Sequence, residues 1–181
     1  MNEIEIKVLG IDKDGIEEKI KSLGGELIKD EYQINTVYDD EDGNISSSKV
    51  NTYLRIRETK NLIDGVQKTV FTLKTLISNQ DVRTSEEIDV KIDSKENLDR
   101  ILNFLGLKRK YIGKKHRVSY MIDDIKFDLD EWDSKTYPEP YLEIEANDIK
   151  ELNRALKLLE IEEDMVSTKS ITELRRDKGM E

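Results

Sequence analysis

Charged residues alternate with apolar residues at a period of two in many stretches of this sequence. Near the N-terminus Glu3, Glu5 and Lys7 are separated by isoleucines, and further along Arg55 and Arg57 flank another isoleucine. Successive side chains of a β-strand point to opposite faces of its sheet. Each stretch therefore predicts a strand with one charged face and one apolar face.

The charged faces contain both signs, and each sign has its own chemistry. Carboxylate oxygens are the hard ligands that Mg²⁺ and Mn²⁺ prefer, whereas Arg and Lys bind phosphate oxygens, with Arg able to do so bidentately. A polyphosphate bridged by a metal ion needs both groups at once. The predicted acidic set is Glu3, Glu5, Glu87, Asp128, Asp130, Glu143 and Glu145, and the predicted basic set is Lys7, Arg55, Arg57, Lys74, Arg83, Lys115 and Arg117.

Strands and helices must together position these faces. Three amphipathic helices are predicted, after Asp12, Ser94 and Asp148, because apolar residues recur there at the helical period behind a capping residue. A shorter helix is predicted at 168–177. The predicted strands span 2–9, 31–39, 51–59, 68–77, 82–92, 108–122, 125–132 and 141–147.

The apolar strand faces are the surface on which the helices can bury their own apolar stripes. The charged faces then lie together on the other side, and a twisted sheet of eight strands tends to curl or close. An ordinary half-exposed sheet explains any one of these strands, but not the common arrangement of all eight. We therefore predict an α+β fold: an eight-stranded antiparallel β-barrel, or tunnel, with a charged interior and amphipathic helices packed outside.

Composition restricts the partners. Among 181 residues, 40 Asp and Glu against 30 Lys and Arg give a net charge of −10, so duplex nucleic acid is not an expected partner. No stretch approaches the ~20 apolar residues of a membrane helix, and no signal peptide is evident. We expect no membrane association and a cytoplasmic location. No linker or shift in composition divides the chain, which predicts a single domain over residues 1–181.

A series of short motifs in a fixed order resembles one protein family. Glu3-Ile4-Glu5-Ile6-Lys7 is similar to the ExExK signature of the CYTH superfamily, also called triphosphate tunnel metalloenzymes. The match extends over nearly the whole chain and looks nearest to the class IV adenylyl cyclase-like subgroup. The further matching segments, in order, are Asn35 to Asp39, Leu54 to Arg57, Thr72 to Lys74, Arg83 to Glu87, Lys115 to Arg117, Leu129 to Glu131 and Tyr141 to Glu145.

The resemblance also implies roles for individual residues. Lys7 would bind phosphate or position the attacking group, and Glu87 is the second catalytic candidate, with Glu86 in its place if a bulge shifts the register. The implied ligands of Mg²⁺ or Mn²⁺ are Glu5, Glu143 and Glu145, with Glu3 and Asp130 close by. The implied phosphate-binding residues are Lys7, Arg55, Arg57, Lys74, Arg83, Lys115 and Arg117.

The activity implied by the resemblance is metal-dependent cleavage of a triphosphate such as ATP, thiamine triphosphate or tripolyphosphate. Two reactions stay open, cyclisation of ATP and hydrolysis of a terminal phosphate. The alternative is a non-catalytic sensor of nucleotide or polyphosphate that uses the same tunnel. Residues 133–140 lack the Gly-rich approach to the last strand that is frequent in the cyclase subgroup. A homodimer is a family-level expectation.

Two aromatic residues have predicted positions of their own. The parity of His116, the only histidine, places it opposite Lys115 and Arg117 and therefore on the outer surface. Trp132 lies at a strand end, where packing is favoured over stacking on a base.

Overall fold

The computed structural model describes residues 2–45, 52–79 and 82–180, without the side chains of Asn2 and Glu3. Within these ranges the helices are α1 Lys13–Ser22, α2 Lys95–Phe104, α3 Ile149–Leu159 and α4 Ile171–Asp177, with one 3₁₀ turn at Glu163–Met165. The strands of the same ranges are β1 Asn2–Val8, β2 Glu26–Asp39, β3 Thr52–Asn61, β4 Gln67–Asn79, β5 Arg83–Lys91, β6 Lys108–Ile122, β7 Ile125–Trp132, β8 Tyr141–Ala146 and β9 Val166–Ser167.

Eight of these strands form a closed antiparallel barrel. The order around it is β5-β4-β3-β2-β6-β7-β8-β1, and pairing between β1 and β5 closes the ring, with Glu5 opposite Arg83. The short β9 pairs with β1 beyond this contact, where Lys7 lies opposite Ser167. The predicted fold class is therefore confirmed.

The apolar core lies outside the barrel, between its wall and the helices. On one side Leu152, Ala155 and Leu159 of α3 are buried against the outward residues of β1, β6, β7 and β8, among them Ile6 and Phe127. On the other side α2 covers β2 and β3, as predicted from its apolar stripe. Because the outward face is apolar, the charged residues of the same strands point into the tunnel.

Local sequence sets the helix ends. The side chains of Ser94 and Asp148 accept hydrogen bonds from backbone N–H groups of α2 and α3, as expected for N-caps. Asp12 precedes α1 but makes no such bond. Gly24 and Gly106 follow α1 and α2 with φ of +86° and +87°, the left-handed conformation that glycine adopts at little cost.

β2 is the strand that departs most from its predicted bounds. β2 begins at Glu26 rather than at 31, because its pairing with β6 continues past a bulge between Leu27 and Lys29. A bulge interrupts the alternation of side chains, so the strand pattern is hidden there. In the part of the chain that is described, no helix has the length and apolarity needed to span a membrane. The single domain over residues 1–181 stays a prediction.

The packing of α3 gives the first testable prediction. Leu152 is 1% exposed in the core between α3 and the barrel, so Leu152→Ala should lower the free energy of unfolding by about 2–5 kcal/mol. Urea denaturation followed by circular dichroism measures this loss. Leu105→Ala is the matched control, since Leu105 is 67% exposed; a loss of equal size there would contradict the position of the core.

Candidate functional site

Three carboxylates meet where β1 and β8 run side by side. Glu5, Glu143 and Glu145 each offer an oxygen, and these oxygens lie within 4.8 Å of one another. The register explains the meeting, since Glu5 lies opposite Glu145 and Lys7 opposite Glu143. We call Glu5, Glu143 and Glu145 the carboxylate triad. The carboxylate of Glu3, the fourth predicted ligand on these strands, lies outside the described side chains.

The surroundings of the triad shift the pKa values of two of its members in opposite directions. Burial, reinforced by the negative charges of Asp128 and Glu143, raises the pKa of Glu145 to about 7, although Lys126 acts against it. Glu143 behaves oppositely: despite its burial, the charges of Lys7 and Arg117 hold its pKa well below its usual range. The Lys7 ammonium lies 2.9 Å from Glu143 and 3.9 Å from Glu5.

Asp130 was predicted as a metal ligand, but it lies outside the triad. Its two carboxylate oxygens accept hydrogen bonds of 2.6 Å each from the Arg117 guanidinium, and one also accepts a bond of 2.8 Å from Lys115. The same guanidinium reaches Glu143 at 2.9 Å and also pairs with Asp128. Arg117, a predicted phosphate ligand, therefore cross-links three carboxylates of β7 and β8.

The opposite wall, on β3, β4 and β5, carries the other basic residues. Lys74 lies 2.9 Å from Glu87, which is also 3.7 Å from Arg55. Glu87 faces the tunnel and Glu86 is exposed outside, so no bulge exchanges the two. Although burial acts against it, the cations Arg55 and Lys74 lower the pKa of Glu87 to about 2.

Arg57 differs from the other cations. Among the described residues no carboxylate lies within ion-pair distance of it, and its Nε donates a hydrogen bond of 3.2 Å to the Asn35 amide oxygen. Burial and the nearby Arg55 and Arg117 lower the pKa of Arg57 to about 10. Because an arginine keeps its proton in proteins, this direction means that its charge lacks compensation.

Arg83 connects the site to the C-terminal helix. Its guanidinium lies 3.5 Å from Glu5 and 3.4 Å from Glu173 of α4, and it also reaches the Thr168 carbonyl at 3.4 Å. Glu173 is fixed by a reciprocal capping box with Ser170. This predicted phosphate ligand therefore holds α4 over one end of the tunnel.

Trp132 and His116 are the two aromatic residues whose positions were predicted individually. Trp132 lines the tunnel, yet its indole N–H donates to the Tyr141 hydroxyl at 2.9 Å and the Lys115 ammonium lies 5.0 Å from its ring. A Cβ added at Gly113 would lie 2.8 Å from the ring, so this contact is already close. His116 points outward and lies 2.7 Å from Asp30.

Several tunnel residues were missed by the sequence reasoning. The residues that line the cavity of about 470 Å³ without having been predicted include Lys29, Glu31, Gln33, Thr59, Lys68 and Lys126. Extending the alternation of Arg57 and Lys74 to the ends of β3 and β4 would have found Thr59 and Lys68. The bulge in β2 hid Lys29.

The carboxylate triad fits a hard divalent cation. Three oxygens from different carboxylates converge in one place, and burial together with the negative charges of Asp128 and Glu143 raises the pKa of Glu145. A divalent cation would offset this concentrated negative charge, and oxygen ligands suit Mg²⁺ or Mn²⁺. The residues present therefore agree with the metal predicted from the sequence.

Comparison with known proteins gives consistent matches. The CYTH domain family model matches residues 1–176. A protein of Methanocaldococcus jannaschii named "Putative adenylate cyclase MJ0240" is 32% identical over 184 residues, which covers 97% of this chain and 99% of that protein.

Solved structures share the fold. The PH1819 protein of Pyrococcus horikoshii OT3 superposes with a TM-score of 0.78 at 24% identity, covering 97% of this chain and 99% of that one. HpAC1 of Hippeastrum, described as an adenylyl cyclase candidate with a dominant triphosphatase activity, gives a TM-score of 0.69 at 19% identity, covering 97% and 96% of the two chains.

The depressed pKa of Glu87 generates a prediction for the protein without ligand. Because the folded-state pKa is about 2 against an ordinary value of 4.5, the ionised Glu87 stabilises the fold above pH ~4.5, and this contribution is lost as the pH falls towards 2. Wild type should therefore be more stable than Glu87→Gln at pH 6, and the difference should shrink at pH 3. Urea denaturation of both proteins at each pH measures it, and a difference independent of pH would contradict the ion pairs assigned to Glu87.

Proposed function

Because the chain belongs to the CYTH domain family, we propose that it is a divalent-metal-dependent enzyme that binds a triphosphate in its tunnel and hydrolyses the terminal phosphate. The substrates considered are ATP, thiamine triphosphate and inorganic tripolyphosphate. Hydrolysis transfers the terminal phosphoryl group to water, breaks the bridging P–O bond and leaves the water's proton on a phosphate oxygen.

One observation carries this proposal: the tunnel holds both a cluster of carboxylates and an arginine whose charge is not compensated. The carboxylate triad brings three carboxylate oxygens together, and Arg57 lacks a carboxylate partner among the described residues. A metal-bound triphosphate supplies what each lacks, a cation for the triad and anionic oxygens for the arginine. A neutral ligand would leave both charges uncompensated.

The binding residues divide by chemistry. Glu5, Glu143 and Glu145 would hold Mg²⁺ or Mn²⁺, which when bound neutralises charge on the phosphate oxygens. Arg55, Arg57 and Lys74 bind phosphate oxygens, and Arg57 does so without first giving up a salt bridge. Arg83, Lys115 and Arg117 must share or exchange their present carboxylate partners to contribute. Asp130 acts chiefly by orienting Lys115 and Arg117.

Lys7 and Glu87 have different roles in the proposed reaction. The charges of Glu143 and Glu5 raise the pKa of Lys7 against the effect of its burial, so its ammonium stays protonated and donates hydrogen bonds to a phosphate oxygen or orients the attacking water. Glu87 stays ionised near neutral pH and positions Lys74 and Arg55. Both roles act by orientation and charge rather than by covalent chemistry.

A cyclase is the second candidate, because the relative at 32% identity carries the name of one. In that reaction the ribose 3′-hydroxyl attacks the α-phosphorus of ATP and pyrophosphate departs. Hydrolysis is favoured because Trp132, the residue that could stack on a base, already donates its indole N–H to Tyr141 and has the Lys115 ammonium over its ring. A sensor is disfavoured by the complete triad, since binding without turnover does not need it.

Product analysis separates these candidates. The protein is incubated with ATP, thiamine triphosphate or tripolyphosphate, each with Mg²⁺ or Mn²⁺, and the products are resolved by chromatography. Orthophosphate and the diphosphate product support hydrolysis. Cyclic AMP with pyrophosphate supports the cyclase and overturns hydrolysis, and tight binding without any product supports the sensor.

Substitution of the triad gives a prediction for turnover. Glu5→Gln and Glu145→Gln should each lower metal-dependent turnover by at least about a hundredfold, since each removes a charge from the metal-binding oxygens. Product formation measures the loss, and thermal unfolding checks that the fold persists. Glu131→Gln is the matched control, because Glu131 lies on the outside of β7 and pairs with Lys13. Turnover that survives both triad changes would make the site assignment wrong.

Location and assembly stay predictions of the sequence. We propose a cytoplasmic protein that acts without duplex nucleic acid or a membrane, and a homodimer as its assembly. Size-exclusion chromatography with light scattering measures the mass in solution, for which the single chain gives 21.1 kDa.

A further inference from the structure

Three cations of the described residues lie within ion-pair distance of Glu5, a member of the carboxylate triad. The Lys74 ammonium is 3.4 Å from its carboxylate, the Arg83 guanidinium 3.5 Å and the Lys7 ammonium 3.9 Å. A divalent cation at the triad would repel each of them, since like charges a few ångströms apart oppose one another. Each of these cations therefore competes with the metal for Glu5.

Each of the three cations also has a second carboxylate, which is at least as close as Glu5. The three pairs are Lys7 with Glu143 at 2.9 Å, Lys74 with Glu87 at 2.9 Å, and Arg83 with Glu173 at 3.4 Å. Arg83 differs from the two lysines because its distances to Glu5 and to its second carboxylate are almost equal. The charge on Glu173 therefore helps to decide how strongly Arg83 holds Glu5.

Glu173 lies on α4, outside the barrel, and its side chain is fixed there. Its carboxylate accepts hydrogen bonds of 2.7 Å from both the backbone N–H and the hydroxyl of Ser170. The next residue, Leu174, is buried and anchors the helix. Although partial burial acts against it, the Ser170 bonds and the charge of Arg83 lower the pKa of Glu173, so the carboxylate is ionised near neutral pH.

The contacts of Arg83 differ on its two sides. Its Nη1 donates hydrogen bonds of 3.4 Å to the Glu173 carboxylate and to the Thr168 carbonyl, whereas its Nε lies 3.5 Å from Glu5. In the described parts of the chain, Glu5 and Glu173 are the two carboxylates within ion-pair distance of Arg83. If Glu173 lost its charge, the buried guanidinium would pair more strongly with Glu5, because a buried charge without a partner is costly. A metal ion would then have to displace a stronger pair.

We propose that Glu173 is a positioning residue, which holds Arg83 back from Glu5 and so leaves Glu5 free to bind a divalent cation. Arg83 stays in the wall of the tunnel, where its guanidinium lines the cavity and can reach the phosphate oxygens of the ligand. The inference rests on the proposed function and adds to its site a residue of α4. Glu173 acts through Arg83 and does not itself bind the metal.

A double-mutant cycle on Mn²⁺ binding tests the proposal. Mn²⁺ alone is titrated by calorimetry into wild type, Glu173→Gln, Arg83→Gln and the variant with both changes. Glu173→Gln should weaken Mn²⁺ binding about fivefold, but by less than about twofold when Arg83→Gln is already present, because the two residues act as a unit. Asp177→Asn on the same helix is the matched control. It removes a carboxylate that pairs with Lys169 at 2.7 Å, away from the residues that line the cavity, and should keep the wild-type affinity.

The choice of glutamine separates this role from helix capping. A capping box accepts Gln as well as Glu at this position, so Glu173→Gln keeps the bonds from Ser170 and removes the charge. A purely structural role predicts that Glu173→Gln binds Mn²⁺ like wild type and that Glu173→Ala, which lacks the cap, unfolds at a lower temperature. An unchanged Mn²⁺ affinity in Glu173→Gln would overturn the proposal.

The remaining outcomes distinguish this inference from the proposed function. An equal loss of affinity with and without Arg83→Gln would mean that Glu173 acts by its own charge, and would overturn the inference alone. Wild type that binds no Mn²⁺ would overturn the inference and the proposed metal dependence together.

If Arg83→Gln does not fold, hydrogen exchange of the α4 amides decides. Mn²⁺ should slow this exchange in wild type but not in Glu173→Gln, because repulsion from the metal drives Arg83 towards Glu173 and holds the helix more firmly. Exchange in wild type that Mn²⁺ leaves unchanged would overturn the proposal.

Discussion

Every charge that the barrel turns inward must find a partner there, and the rest of the structure depends on this constraint. An ion removed from water costs several kcal/mol unless it is paired and hydrogen-bonded. Arg117 shows how the constraint is met, because one guanidinium binds Asp128, Asp130 and Glu143 and joins three adjacent strands. The tunnel wall is thereby cross-linked by ion pairs, whereas a typical small barrel fills its interior with apolar side chains.

The hydrophobic core can lie outside because the strands have two distinct faces. Ile6 and Ile144 pack under α3 while their neighbours Glu5 and Glu143 face the tunnel. Stability and chemistry thus occupy opposite sides of the same strands. Changes on the tunnel face alter charge compensation with little effect on apolar packing, which is why glutamate-to-glutamine variants are suitable probes of the site.

Alternation of residues predicted most of the fold, because it reports the two faces of a strand directly. It placed Glu87 inside, His116 outside, and Glu5 on the face that it shares with Lys7. It could not predict which inward charges pair with one another, since pairing depends on register and side-chain length. Asp130 and Arg83 illustrate this, since both face inward as expected. The Asp130 carboxylate, however, is paired with Arg117 and Lys115, and the Arg83 guanidinium also forms an ion pair with α4. Alternation also fails at a bulge, which hid Lys29.

The two uncompensated features of the tunnel are coupled through the ligand that would relieve them. A divalent cation on the triad would offset the negative charges that, together with burial, raise the pKa of Glu145, and it would also attract phosphate oxygens towards Arg57. Phosphate bound at Arg57 would in turn add negative charge that favours the cation. By linkage, metal and triphosphate would then raise each other's affinity by the same factor. A tunnel in which neither site is fully compensated alone therefore favours their joint binding over either one.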